Sequence, residues 1–123
     1  MTVLIVEDNA KMRLMIRRII ENNVQSIESI CECDDGIEAV KLYHKMKPDW
    51  VVMDIRLKLL DGLSATQQII KSDPTAKIII ITQYDDPAYR ERAKSIGAYD
   101  HVLKENIFDI LKIINEKAIN SDQ

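Results

Sequence analysis

The feature that most constrains this chain is a change of hydrophobic period that recurs from one end to the other. Short aliphatic runs at residues 3–6, 27–32, 50–54, 77–82 and 101–103 have the length and residue type of strands. The stretches between and after them carry apolar residues at helical spacing. Met12, Ile16, Ile19 and Ile20 form a first stripe, Ala39, Tyr43 and Met46 a second, and Leu63, Thr66 and Ile70 a third. Tyr89, Ala93 and Ile96 form a fourth, and Ile107, Ile110, Leu111 and Ile114 a fifth. Strands alternating with helices require parallel pairing through right-handed crossovers, with helices on both faces of the sheet. Five such units predict an open, doubly wound α/β domain, since a closed eight-unit barrel needs about twice the chain.

Punctuation agrees with this period. Asp35 with Glu38 forms a candidate helix-capping pair, Asp86 precedes Pro87 at a first helical position, Gly97 stands where the fourth helix should stop, and Asn106 suits the cap of the last helix. The 123 residues contain no internal repeat and no linker-like stretch, so one domain over 1–123 is expected. No apolar run approaches the roughly 20 residues that cross a bilayer. The first residues meet Glu7 and Asp8 directly after one short apolar run and lack a basic lead, unlike a secretory signal, so the cytoplasm is the expected location. Cys31 and Cys33 alternate on one strand, where disulfide geometry is poor, and are expected to be reduced. A formal charge of −3 gives no basic field for nucleic acid or anionic lipid.

In open α/β sheets, ligands bind beyond the carboxyl ends of the strands. There the first strand runs into Glu7 and Asp8, the third into Asp54, the fourth into Thr82 and the fifth into Lys104. Taken singly, these are an acidic turn, an ordinary strand threonine and a surface lysine. Their joint placement at one sheet edge is what marks a site. Three converging carboxylates raise one another's pKa unless a cation intervenes, and hard oxygen ligands take Mg²⁺, Mn²⁺ or Ca²⁺. Mg²⁺ is the expected ion, because it retains waters and accepts phosphate oxygens. Lys104 and Thr82 supply the charge and hydroxyl that hold phosphoryl oxygens during transfer, and Asp54, central in the sheet, is the candidate nucleophile for an acyl phosphate.

These residues resemble a known family, the receiver domain of two-component response regulators, over essentially the whole chain. Residues 3–9 with Arg13 are similar to its opening strand and acidic pair, and residues 35–40 to its second-helix entry. Residues 47–54 are similar to its phosphorylation strand, Asp61-Gly62 to the motif after the acceptor, and 78–82 and 97–104 to its switch-threonine and lysine segments. The resemblance implies a flavodoxin-like fold with five helices and strand order 2-1-3-4-5. It implies that Asp54 accepts a phosphoryl group from a sensor histidine kinase or phosphotransfer protein. Glu7, Asp8, Asp54 and the backbone carbonyl of Arg56 would hold Mg²⁺ or Mn²⁺, while Thr82 and Lys104 would meet the phosphoryl group. The implied output surface lies around Tyr89, Arg90, Lys94, His101 and Leu111. It would meet a downstream protein, the chain's own effector domain or, once phosphorylated, a second copy.

Several positions depart from the family pattern. Lys58 stands where proline is common, and Gln83 follows the switch threonine where a small residue is usual, so both are expected to modulate the reaction. His101 occupies the aromatic switch position, either filling the same space or adding pH sensitivity. Glu105 replaces a proline, so a trans peptide is expected there, as in receivers that precede helix-turn-helix domains. Leu57, Leu59 and Leu60 are expected to pack under the third helix, with a partner-facing patch as the other reading. An aspartyl phosphatase would want an acid where Arg56 stands, and a flavin carrier would not place Glu7 and Asp8 against phosphate. The remaining alternative is a pseudo-receiver, a constitutive interaction or dimerisation module that is never phosphorylated.

Overall fold

A computed structural model describes residues 1–121, with side chains through residue 116. Five strands, β1 (Thr2–Val6), β2 (Ser29–Cys33), β3 (Trp50–Asp54), β4 (Ile78–Thr82) and β5 (Asp100–Leu103), alternate with five helices. The helices are α1 (Ala10–Asn23), α2 (Gly36–Met46), α3 (Gly62–Ser72), α4 (Pro87–Ser95) and α5 (Asp109–Ser121), and a 3-10 turn spans Lys104–Asn106. All strand pairs are parallel, in the order β2-β1-β3-β4-β5. The doubly wound architecture expected from the hydrophobic period is therefore the one observed.

The pleat divides the sheet into two cores. Val3, Ile5, Trp50, Val52, Ile79 and Ile81 pack with Ile16, Ile20, Ile110 and Ile114 of α1 and α5. Leu4, Val6, Val51, Met53, Ile78 and Ile80 pack with Ala39, Tyr43, Leu63, Ile69 and Ala93 of α2, α3 and α4. Every residue of β3 and β4 is buried, as an inner parallel strand covered on both faces must be. Side chains of Asn9, Asp35, Asp61 and Asp86 accept hydrogen bonds from the first-turn amides of α1 to α4 in turn. Each helix thus begins at a definite residue at the carboxyl edge of the sheet. Gly97, at φ 95°, closes α4, and the Ala98 N–H donates to the carbonyl of Ala93 at 3.0 Å.

Four expectations are corrected. β2 begins at Ser29 and not at residue 27, because its ladder starts only where β1 provides Thr2 as a partner and a left-handed turn at Ser26 precedes it. In α3 the buried position is Ile69, while Ile70 is only partly covered, so the stripe runs through Leu63, Thr66 and Ile69. Asn106 does not cap the last helix: the chain leaves β5 through the 3-10 turn, and α5 starts three residues later at Asp109. Leu57 and Leu60 pack against the core as expected, but Leu59 is 79% exposed at φ 66°, a conformation costly for a leucine. Among the described residues no peptide bond is cis, so Glu105 follows Lys104 in trans.

The loop between β3 and α3 folds back on the strand it leaves. The Gly62 N–H donates to the Ile55 carbonyl at 2.7 Å, and a Cβ on Gly62 would lie 1.8 Å from the backbone oxygen of Asp54. No side chain fits there without moving the end of β3. Gly62→Ala is therefore expected to cost about 3 kcal/mol, measured by urea unfolding. An unchanged midpoint would show that the loop gives way freely.

Candidate functional site

Register brings the acidic groups together. Val6 pairs with Met53, so the next residues along, Glu7 and Asp54, face each other where β1 and β3 end. Thr82 ends β4 opposite Leu103, which places Lys104 beside it. Glu7 is fully buried, and Asp54 and Thr82 are nearly so. The Lys104 Nζ donates to Glu7 Oε1 at 2.8 Å and lies 3.3 Å from Asp54 Oδ1. Glu7, Asp8 and Asp54 each offer a carboxylate oxygen, all within 4.8 Å of one another. Together with Arg56, Thr82, Gln83 and Lys104 they line one cavity of about 400 Å³.

Electrostatics at this site are unbalanced. The Glu7 carboxyl is pushed up to about 8 from 4.5 by burial, and further by the neighbouring Asp54 carboxylate; Lys104 acts against the shift. Burial lowers the Lys104 ammonium, but its hydrogen bond with Glu7 and the charges of Asp54 and Glu7 outweigh that and leave it raised. One lysine thus does not neutralise the cluster. Glu7 Oε2, buried, has no hydrogen-bond partner, and an unpaired buried carboxylate oxygen is costly. A hard divalent cation fits this set, because it would satisfy the orphaned oxygen and screen the three carboxylates from one another.

The rim is tied together by specific contacts. The Arg56 guanidinium stacks 4.4 Å from the centre of the Tyr84 ring, the Gln83 amide donates to the Tyr84 hydroxyl at 3.0 Å, and the Tyr84 N–H donates to Thr82 Oγ1 at 3.2 Å. Gln83 therefore reaches along the rim to Tyr84. Lys58 is outside the cavity lining: its backbone bridges to Asp35, and its carbonyl accepts from Gly36 and Leu60. His101 also lies apart, in a hollow of about 240 Å³ between α4 and β5 that it shares with Arg90, Lys94 and Tyr99. Its buried Nε2 has no partner, and burial followed by the Arg90 charge holds its pKa down. Tyr84 was not singled out by sequence reasoning, although an aromatic two residues beyond the strand-end threonine was the available signal.

The sign of the Glu7 shift sets a pH dependence. Folded Glu7 keeps a proton that the unfolded chain releases, so without metal its contribution to stability is full below about pH 4.5 and is lost as pH rises through about 8. His101, with a lowered pKa, acts with the opposite sign. Comparing metal-free parent and Glu7→Gln by chemical denaturation isolates the first effect. The parent is expected to lose stability relative to the variant between about pH 5 and pH 8, and parallel curves would contradict the proton on Glu7.

Comparison with known proteins agrees with this geometry. The family model for the response regulator receiver domain matches residues 3–115. The chain is 38% identical over 116 residues to a chemotaxis protein CheY from Listeria monocytogenes, covering 94% of this chain and 96% of that one. It is 40% identical over 102 residues to the chemotaxis protein CheY of Thermotoga maritima, covering 83% of each. A DNA-binding response regulator of the LuxR family from Staphylococcus aureus superposes with a TM-score of 0.86 at 29% identity, covering 94% of this chain and 96% of that chain. The chain belongs to the response regulator receiver domain family of two-component signalling.

Proposed function

We propose that the chain is a phosphorylation-dependent receiver in which Asp54 takes a phosphoryl group from a phosphohistidine of a sensor histidine kinase or phosphotransfer protein. The observation that carries this reading is the meeting of buried Asp54 with two further carboxylates and Lys104 in one open cavity. An Asp54 carboxylate oxygen attacks phosphorus as the phosphorus–nitrogen bond to the donor breaks; the electron pair stays on that nitrogen and, with the donor ring protonated on its other nitrogen, an acyl phosphate and a neutral imidazole result. Mg²⁺, held by Glu7, Asp8, Asp54 and the Arg56 carbonyl, would offset the charge between carboxylates and phosphoryl oxygens. Lys104 pairs with a phosphoryl oxygen in place of its present contact with Asp54. Thr82, whose oxygen now accepts from the Tyr84 amide, keeps its own hydroxyl hydrogen to donate.

The donor has a surface to approach. Beside the cavity, sharing Lys11 and Met15 with it, is a second hollow of about 400 Å³ that also includes Leu14, Arg18 and Phe108. Leu14, Met15 and Phe108 are all exposed, an apolar patch with basic edges that suits a helical donor domain. The phosphoryl group is read out as a shift between two arrangements of the Thr82 and His101 segments, which changes the α4–β5–α5 face. That face then meets a downstream protein, an effector domain or a second copy of the chain. The module works as one unit in the cytoplasm and makes no nucleic-acid contact of its own, in keeping with a formal charge of −3. Among the described residues no helix is long and apolar enough to cross a membrane.

Intact mass after incubation with acetyl phosphate and Mg²⁺ tests the chemistry. A single phosphoryl adduct that needs Mg²⁺ and is lost in Asp54→Asn is expected. Absence of an adduct from folded, metal-binding protein would favour the constitutive module instead. The lifetime of that adduct tests the rim. Because Arg56, Gln83 and Tyr84 line the cavity and hold one another there, Tyr84→Ala is expected to open it further to water and shorten the adduct's half-life several-fold, whereas an unchanged decay would remove the rim from the reaction.

A further inference from the structure

The carbonyl of Glu7 is held in an unusual way. The Glu7 N–H donates to the Cys33 carbonyl at 3.1 Å, continuing the ladder between β1 and β2 for one more bond. In a continuing parallel ladder the Glu7 carbonyl would then take the amide of Asp35. By that point the second strand has ended and Asp35 caps α2. The guanidinium of Arg13 takes the place of that amide: its Nη1 donates to the Glu7 carbonyl at 2.7 Å. Arg13 is itself anchored from the other side, with Nε 3.4 Å from Glu32 Oε1 of β2.

This contact fixes the plane of the Glu7–Asp8 peptide. Glu7 is buried and tied to Lys104, so its side chain is already constrained. Asp8 is exposed, and the backbone beneath it decides where its carboxylate sits. Only Asn9 separates Asp8 from α1, and Asn9 is occupied in capping that helix through the Met12 amide. Among the described residues, the polar side chain that holds the Glu7 carbonyl and so the angle of the Asp8 backbone is Arg13, reaching back from the first turn of α1.

We propose that Arg13 is a positioning residue for the acidic site, orienting Asp8 toward a divalent cation by holding the Glu7 carbonyl, with Glu32 keeping the guanidinium in place. This rests on the metal-dependent reading above and adds to it a residue that touches neither metal nor phosphoryl group. The sign of the effect distinguishes it from simple electrostatics. Removing a positive charge near a cation site should tighten cation binding, whereas loss of positioning should weaken it.

The test is Mn²⁺ binding by the full chain, read by electron paramagnetic resonance of the free ion, beside the melting temperature of the metal-free protein. Arg13→Gln is expected to raise the Kd on the order of 10-fold, as loss of a partner that orients a metal ligand does. Arg13→Lys should recover part of that loss, because an ammonium reaches the carbonyl but cannot form the same fork with Glu32. Arg17→Gln removes the outer ion pairs to Glu21 and Glu32, leaves Arg13 on the carbonyl, and should leave the Kd unchanged. Should Arg13→Gln not fold, Arg13→Lys carries the test, because it keeps the charge: a Kd weaker than the parent's reports lost positioning, and parental affinity there would overturn the proposal. Parental affinity in Arg13→Gln, or an equal loss in Arg17→Gln, would overturn the role of Arg13 alone. Failure of the parent chain to bind Mn²⁺ would overturn the metal reading and this proposal with it.

Discussion

The interaction on which the rest of this structure depends is the enforced proximity of Glu7 and Asp54, two carboxylates that burial makes unwelcome to each other. Lys104 bridges them at 2.8 and 3.3 Å, from a position 97 residues along the chain from Glu7. Nothing local holds this arrangement. It exists because β1 and β3 are neighbours with Val6 opposite Met53, and because β5 lies one strand beyond β4 in the same sheet. The sheet thus places charge where charge is costly, and a bound cation or a phosphoryl group changes the balance at once. A site with such unmet demand can act as a switch as well as a binding point.

The frame that tolerates this cost is aliphatic and rigid. β3 and β4 are buried throughout, and the two cores meet only through the sheet itself. Side-chain caps fix the starts of α1 to α4 along the same edge that carries the acidic groups. The close approach of Gly62 to the Asp54 oxygen leaves the end of β3 no slack. At the rim, Arg56, Gln83 and Tyr84 contact one another through a stacked guanidinium and an amide–hydroxyl bond.

Much of this was legible in the chain. Asp54 stands out because a charged residue ends a fully apolar run, and Thr82 and Lys104 stand out for the same reason at their own strands. β2 was harder to delimit, since Ile27 looks like a strand residue but lies before the ladder begins. Ile69 and Ile70 are adjacent aliphatic residues, and only packing on α2 and the sheet distinguishes which one faces inward. Leu59 looked like a core leucine because nothing in its neighbours reveals a positive φ. Arg13 and Tyr84 stand at positions the sequence marks, but their partners, the Glu7 carbonyl and the Arg56 guanidinium, cannot be read from spacing.

The amino-acid sequence by itself determined the class of fold, the edge of the sheet where the acidic groups gather and the polar groups delivered there. Periodicity and the cost of burying charge are local properties, and they are written residue by residue. Only the tertiary structure decided that Glu7 and Asp54 are buried while Asp8 is exposed, that Lys104 contacts both Glu7 and Asp54, and that His101 and Lys58 stand outside the cavity. Those outcomes depend on strand order, register and the angle at which each loop leaves the sheet. They are set by long-range packing, where ångström displacements decide whether two charged groups meet.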